Sequence, residues 1–371
     1  MSHVQPFRGI RFDLAKTGAD PLGLCAPPSD ELSPARRAGL KERTPWNFAH
    51  LQGDAAIPTA RRWLREGVLI QDADPCFYVY RQTFAATVAG VDDRFTRIGI
   101  VGLIAPSAVL GAKRFAPASD LETDLPVLVH DVPTSAFRDL AAGSGPAVLR
   151  FLDDDSVEHA FHVLNDPETV RSLVEILRNA KAVVVDGRIP SGTDPRMALL
   201  VPSDSPGLLL RPVHRICRGL PEGEFIPLVQ GLAASHEVET LPYLGADAAE
   251  ALLDTLPEDV LGFVLREKGA DQVQLVQVRA DASRKRALDA DLLRRELEEE
   301  FPQATLISES EGHDAMDILD SDPSAAFAVL TRPVPVRTLF HLASSGKPWD
   351  PALAPLHPRP WTGLVSRIAN V

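Results

Sequence analysis

The chain has few of the residues that build ligand cages or covalent staples. Its three cysteines, Cys25, Cys76 and Cys217, are scattered over 371 residues with no CxxC spacing. That excludes a disulfide framework and a thiolate zinc site, and it points to a reducing compartment. Positive charge is also short: 38 Lys and Arg stand against 51 Asp and Glu, a formal net charge of −13. Proteins that coat nucleic acid or anionic membrane need a positive field, so no nucleic-acid partner and no membrane partner is expected. The basic pairs Arg36-Arg37, Arg61-Arg62, Arg284-Lys285-Arg286 and Arg294-Arg295 each lie among acids and read as solvated helix faces. No long hydrophobic run is present. The most lipid-like stretch, Ile98 to Ala112, is too short to span a bilayer and contains Pro106 and Ser107. The N-terminal segment lacks a basic-then-apolar signal pattern, so a soluble cytoplasmic protein is expected.

Several catalytic signatures are missing too. Ala142-Gly143-Ser144-Gly145-Pro146 has no Lys-Ser/Thr after it and is not a phosphate-binding P-loop. There is no G-x-S-x-G element and no Cys–His setting for a nucleophile. His159 and His162 would converge on a metal if helical, but Val157–Leu164 reads as a strand, which puts them on opposite faces. Asp153-Asp154-Asp155 precedes that strand as a hairpin loop and lacks the later Gly and Glu of a calcium loop.

What is present is a two-domain length of ordinary globular composition, 45% hydrophobic and 24% charged. Thirty-two prolines are spread along it without a low-complexity block, implying many ordered turns. Ser33-Pro34 starts a helix that Pro45 breaks, and a second helix over 58–66 stops at Gly67. Strands are predicted at 77–84, 95–104, 125–130, 147–152, 157–164 and 182–186, with Asp166-Pro167 opening a helix to about 179. Further on, helices are predicted at 225–234, 246–255, 288–301 and 334–344, and strands at 260–266, 272–278 and 325–330. Without a regular βαβ alternation, the class is α+β with a mixed sheet. The boundary is expected near residue 216, giving domains 1–215 and 216–371.

The most informative stretch is Lys181 to Arg215. The apolar strand Ala182–Val185 stops at Asp186-Gly187, either as a tight turn or as a carboxylate with free backbone N–H groups, where anionic ligands tend to sit. Asp30, behind Pro27-Pro28, either caps the next helix or is presented by a rigid loop. His214-Arg215 reads as the end of a strand after Pro212, where neighbouring side chains face opposite ways. Asn47 by itself reads as a turn residue.

Taken in order, Pro6-Phe7-Arg8-Gly9, Ala26-Pro27-Pro28-x-Asp30, Ser33-Pro34, Arg43-x-Pro45-x-Asn47 and Trp63-Leu64-x-Glu66-Gly67 resemble the prokaryotic family called domain of unknown function 1015. Tyr78-Val79-Tyr80, Asp186-Gly187, Pro212-x-His214-Arg215 and Thr362-Gly363-Leu364-Val365 continue the likeness over nearly the whole chain. The resemblance implies an N-terminal part like the ParB/sulfiredoxin fold, a smaller α+β C-terminal part, and kinship with free-serine kinases. It therefore implies a nucleotide-dependent phosphotransferase that uses ATP or ADP with Mg²⁺ and acts on a small-molecule metabolite bearing a hydroxyl, such as serine. Carried over, Asp30 is the catalytic base, Arg188 and Arg215 hold phosphate, and Asp186 holds Mg²⁺ or a ligand hydroxyl. Asn47, Gly187 and His214 complete the ligand site.

The chain departs from the family where chemistry is expected. After Asp186-Gly187 the family's His-His-Arg is replaced by Arg188-Ile189-Pro190, and the following helix shrinks to Ser191-Gly192-Thr193-Asp194-Pro195. Ser29 replaces the tyrosine of the diproline motif. Lys347-Pro348-Trp349-Asp350 lacks the family's Ser-Thr, and no His-Glu-x-Thr match is found near residues 108–124. Two readings follow: a working but divergent phosphotransferase, or an eroded relative that keeps the fold as a metabolite- or partner-binding scaffold.

Overall fold

Apolar runs without alternation call for strands covered on both faces, and the chain has several. The computed structural model describes residues 3–88, 91–111, 115–116, 120–137, 145–190, 192–221, 223–257, 260–278, 304–345, 352 and 354–368. Among these, a nine-stranded mixed sheet runs in the order Leu149–Leu152, Glu158–Leu164, Phe77–Val88, Val91–Ile104, Arg196–Pro202, Val127–His130, Ala182–Asp186 and Val109–Leu110. Val4–Gln5 pairs beside the end of Val91–Ile104. Arg196–Pro202 runs parallel to Val127–His130, and Ala182–Asp186 parallel to Val109–Leu110; the other pairs are antiparallel.

Each face of this sheet has its own core. Tyr78, Tyr80, Val127, Val183, Val185 and Leu199 face one way and pack against the helix Val336–Ser344 and the returning segment from Ala354 to Val365. Phe77, Val79, Leu128, Val184 and Leu200 face the other way, onto the helix Pro167–Ile176. That double burial is why AVVV and MALLV carry no polar alternation. The N-terminal helices Pro34–Arg43 and Ala56–Glu66 build a third core with Trp63 at its centre.

A second sheet, six-stranded and antiparallel, runs Glu237–Pro242, Gln272–Val278, Leu261–Glu267, Ala325–Thr331, His214–Arg218 and Thr305–Glu309. Helices Ala246–Asp254 and Gly312–Ser321 cover one face, and Phe225–Ser235 covers the other. The expected class, α+β with a mixed sheet, describes this chain. The helix expected at 288–301 and the segment 347–350 lie outside the described residues.

The stretch after the second sheet does not stay with residues beyond 216. After the second sheet the chain returns: Leu356–His357 pairs with Leu209–Leu210, Arg367–Ile368 pairs with Leu121–Glu122, and Thr362 bridges Ala26. The six-stranded sheet is thus held between two stretches that belong to the first part.

Candidate functional site

Two turns and the returning segment meet at one place. Asp186 ends its strand at an irregularity in the pairing with Val127, so its side chain leaves the sheet while Val183–Val185 stay buried. Gly187 then takes φ +74, where an L side chain is strained, and a Cβ there would lie 3.0 Å from Pro126 Cα. Arg188 follows, exposed. Ile189–Pro190 pair parallel with Phe115–Ala116, and no helix forms among the described residues from 192 to 195.

Asp30 sits in the short 3₁₀ turn Ser29–Glu31, directly after Pro27-Pro28. Ser33 caps the next helix instead, its hydroxyl accepting from Arg36 N–H at 3.2 Å. With that role filled, the Asp30 side chain stays 68% exposed and faces the second turn.

Arg359 joins the two. Its Nε donates to both Asp186 oxygens at 3.0 and 3.1 Å. Nη1 donates to Asp30 Oδ1 at 2.9 Å and to Glu31 Oε1 at 3.0 Å, and Nη2 donates to Asp30 Oδ2 at 3.1 Å. One planar guanidinium thus spans three carboxylates, as its fork of donors allows. Beside it opens a cleft of about 470 Å³, lined by Ser29, Asp30, Asp124, Gly187, Arg188 and Arg359 among others. Glu122, also on its wall, is spent on Arg196 Nη1 and Met197 N–H, both at 3.0 Å.

The electrostatics favour protons and cations here. Burial raises the Asp186 carboxyl above the usual carboxylate range, against the opposing pull of Arg359. Burial raises Glu31 and Asp124 as well, although Arg359 opposes it at Glu31 and the Ser29 hydroxyl, donating to Asp124 Oδ2 at 3.1 Å, opposes it at Asp124. Burial works against the charge of Arg359, yet Asp186 and Asp30 hold its guanidinium above the ordinary value. Among the described residues Arg188 has no ion-pair partner, so it is the cation available to an incoming anion.

Asp30, Asp186, Gly187 and Arg188 are therefore gathered, and the other three expected residues lie elsewhere. Asn47 is fully buried: its Nδ2 donates to the carbonyls of Gly23 (2.7 Å) and Cys25 (3.0 Å), and its Oδ1 accepts from Ala49 N–H (2.9 Å). It stitches the loop before the diproline to the turn Phe48–Leu51, with no polar atom left for a ligand. His214 and Arg215 begin a strand of the six-stranded sheet rather than ending one, because Pro212 breaks the chain just where it crosses between sheets. His214 is buried, with Nδ1 accepting from Thr331 N–H at 3.2 Å and Nε2 3.0 Å from Glu250. Arg215 is buried beside it, its Nη1 donating to the His214 carbonyl. His159 and His162 do point to opposite faces: one is buried and the other bonds the Gly145 carbonyl.

Arg359, Glu31 and Asp124 were not anticipated. A signal for Arg359 exists in Pro358-Arg359-Pro360, a charged residue held between two prolines, much as Asp30 follows Pro27-Pro28.

Residues 4–109 match the family model described as a protein of unknown function (DUF1015), which is less than half of the chain. No curated protein matches. Among solved structures, a conserved hypothetical protein from Pyrococcus furiosus is similar at 11% identity, covering 65% of this chain and 93% of its own, with a TM-score of 0.31. A free serine kinase in complex with AMP is similar at 12% identity, covering 66% of this chain and 90% of its own, with a TM-score of 0.29. Likeness at that level is too slight to carry an argument about activity. No helix among the described residues is long and apolar enough to cross a membrane.

Proposed function

We propose that the chain is a phosphotransferase-like protein, eroded in its chemistry, that binds a small hydroxylated metabolite with a cationic head, such as serine, in the cleft beside Arg359. The observation that carries this reading is the triple ion pair of Arg359 with Asp186, Asp30 and Glu31. A general base must receive the substrate's proton, and Arg359 competes for that role by holding both Asp30 oxygens in an ion pair, which leaves their outer lone pairs for hydrogen bonds from a ligand. A Mg²⁺ ion held by Asp186 needs that carboxylate free, and both its oxygens face the Arg359 Nε. Mg²⁺ does not fit this donor set: a guanidinium stands between the carboxylates where a divalent cation would. With His214 and Arg215 in the other sheet, Arg188 is the one of the two expected phosphate-holding arginines left at the cleft.

Binding suits the same groups well. Asp30 and Asp124 offer acceptors to an ammonium or hydroxyl, and Arg188 offers a bidentate fork to a carboxylate. The ParB/sulfiredoxin kinship and the nucleotide site implied by the family resemblance belong to this reading as its ancestry.

Calorimetric titration with L-serine, ATP and AMP, each with and without Mg²⁺, tests it alongside an assay for ADP release. Serine binding without serine-dependent ADP release is the expected result. Serine-dependent ADP formation would favour the second reading, a working enzyme, which draws on the exposure of the Asp30 side chain. Absence of serine binding at millimolar concentration sinks the proposal.

A further inference from the structure

Arg97 is the anomaly in the core of the first sheet. It is 1% exposed, yet no carboxylate pairs with it among the described residues. Removing a guanidinium from water costs several kcal/mol per ion before any pairing, so an apolar side chain there would be cheaper. Burial pulls it down to about 10, with Tyr80 and Asp186 opposing, so it stays charged at neutral pH.

Its partners show what the charge is spent on. Gln82 sits directly opposite Arg97 across the Phe77–Val88 and Val91–Ile104 pair, and its Oε1 accepts from Arg97 Nη2. Arg97 Nη2 also donates to the Pro358 carbonyl, and Nη1 donates to the His357 carbonyl at 3.2 Å. Gln82 Nε2 donates to the Arg359 carbonyl at 3.1 Å. Three successive carbonyls, at 357, 358 and 359, are therefore gripped from one patch of the sheet. On the far side, Trp361 N–H donates to Tyr80 Oη at 3.2 Å, and Thr362 exchanges backbone hydrogen bonds with Ala26 at 2.8 and 3.1 Å. The backbone of Arg359 is pinned on both sides while its side chain extends to the cleft.

We propose that Arg97 and Gln82 are positioning residues for Arg359: together they fix the backbone of residues 357–359 so that the guanidinium meets Asp30 and Asp186 at once. The functional weight of this clamp rests on the reading of the cleft as a ligand site; its geometry does not. A charged group is used because it can serve two carbonyls and an amide in one plane, and carbonyl dipoles bind it more firmly than they bind a neutral donor.

The test is a carboxyl titration followed by ¹³C NMR on aspartate-labelled full-length protein, with Asp186 assigned by its loss in Asp186→Asn. Asp186 faces Arg359 and Asp30 and accepts from the Gly187 N–H, so its midpoint reports whether the guanidinium is in place. In Gln82→Met, which keeps length but loses both amide contacts, the midpoint rises by about one pH unit, because an opposite charge close by lowers a carboxyl by one to three. Arg97→Lys keeps the charge but not the fork, and moves the midpoint the same way; it carries the test should Gln82→Met not fold. Val79→Ala, on the opposite face of the same strand, lowers Tm and leaves the midpoint alone. An unchanged midpoint in folded Gln82→Met, or an equal shift in Val79→Ala, overturns the proposal. No ligand enters the measurement, so failure of serine to bind would leave this result standing.

Discussion

Two polar clusters tie distant parts of this chain together, and they do it in opposite ways. In the interior, Tyr80 Oη accepts from Trp361 N–H and so donates to His159 Nδ1 at 2.7 Å, while His159 Nε2–H donates to Asp153 Oδ2 at 2.9 Å. Asp153 Oδ1 accepts from the N–H groups of Val157 (2.8 Å) and Asp155 (3.0 Å), closing the chain with every bond assigned. Burial alone would raise Asp153, but His159 and these two amides hold it below the usual range; burial keeps His159 low and neutral, despite Asp153. At the cleft, Arg359 ties Asp30 to Asp186 with one partner exposed and the other mostly buried. The first cluster is finished and dry, so it specifies the fold. The second keeps free lone pairs facing solvent, so it can exchange partners with a ligand. On the proposed reading of the cleft, similar residue types serve structure or binding according to what is left unsatisfied.

The largest effect in this comparison is expected on the closed side. Asp153→Ala leaves a buried imidazole N–H and two amides without acceptors and should cost about 3 kcal/mol in urea unfolding. Arg359→Met should cost about 1–2 kcal/mol at neutral pH, discounted because Asp30 is exposed. Its pH dependence has a definite sign. Asp186 is already raised in the folded state, and losing Arg359 raises it further, so the native form binds more protons than the unfolded form. The deficit relative to wild type is therefore full above the variant's raised value and shrinks as pH falls through it towards the wild-type protein's own raised value, since the unfolded value is common to both. Unfolding curves at several pH values check it; a deficit that grows on acidification would contradict the assignment. Gly187→Ala should cost about 1 kcal/mol in thermal unfolding, from a positive φ and the nearby Pro126 backbone. Asp30→Asn should change stability by less than about 0.5 kcal/mol, yet abolish the serine heat in calorimetry.

The strands were the most legible elements. Ala182–Asp186 and Gln272–Val278 have the bounds predicted, and the helix at 34–43 follows its Ser33-Pro34 start. Local rules suffice there, because an uninterrupted β-branched run or a capped start is written within a few residues. The turns that carry Asp30 and Asp186 were legible for the same reason, since prolines or a glycine enforce each. The rest depended on tertiary return. Arg359 lies in a proline-studded stretch with no periodicity, and its meaning comes from pairing with residues 173 and 329 positions away. His214 was misplaced because a break at Pro212 looks the same whether a strand ends or another sheet begins.

The return of the C-terminal stretch has a consequence for synthesis on the ribosome. Asp30 emerges 329 residues before the arginine that will hold it. Until that arginine arrives, nothing joins Asp30 and Glu31 to Asp186. A nascent chain can thus build its first strands and helices early, while the cleft takes shape only after the intervening six-stranded sheet has been made.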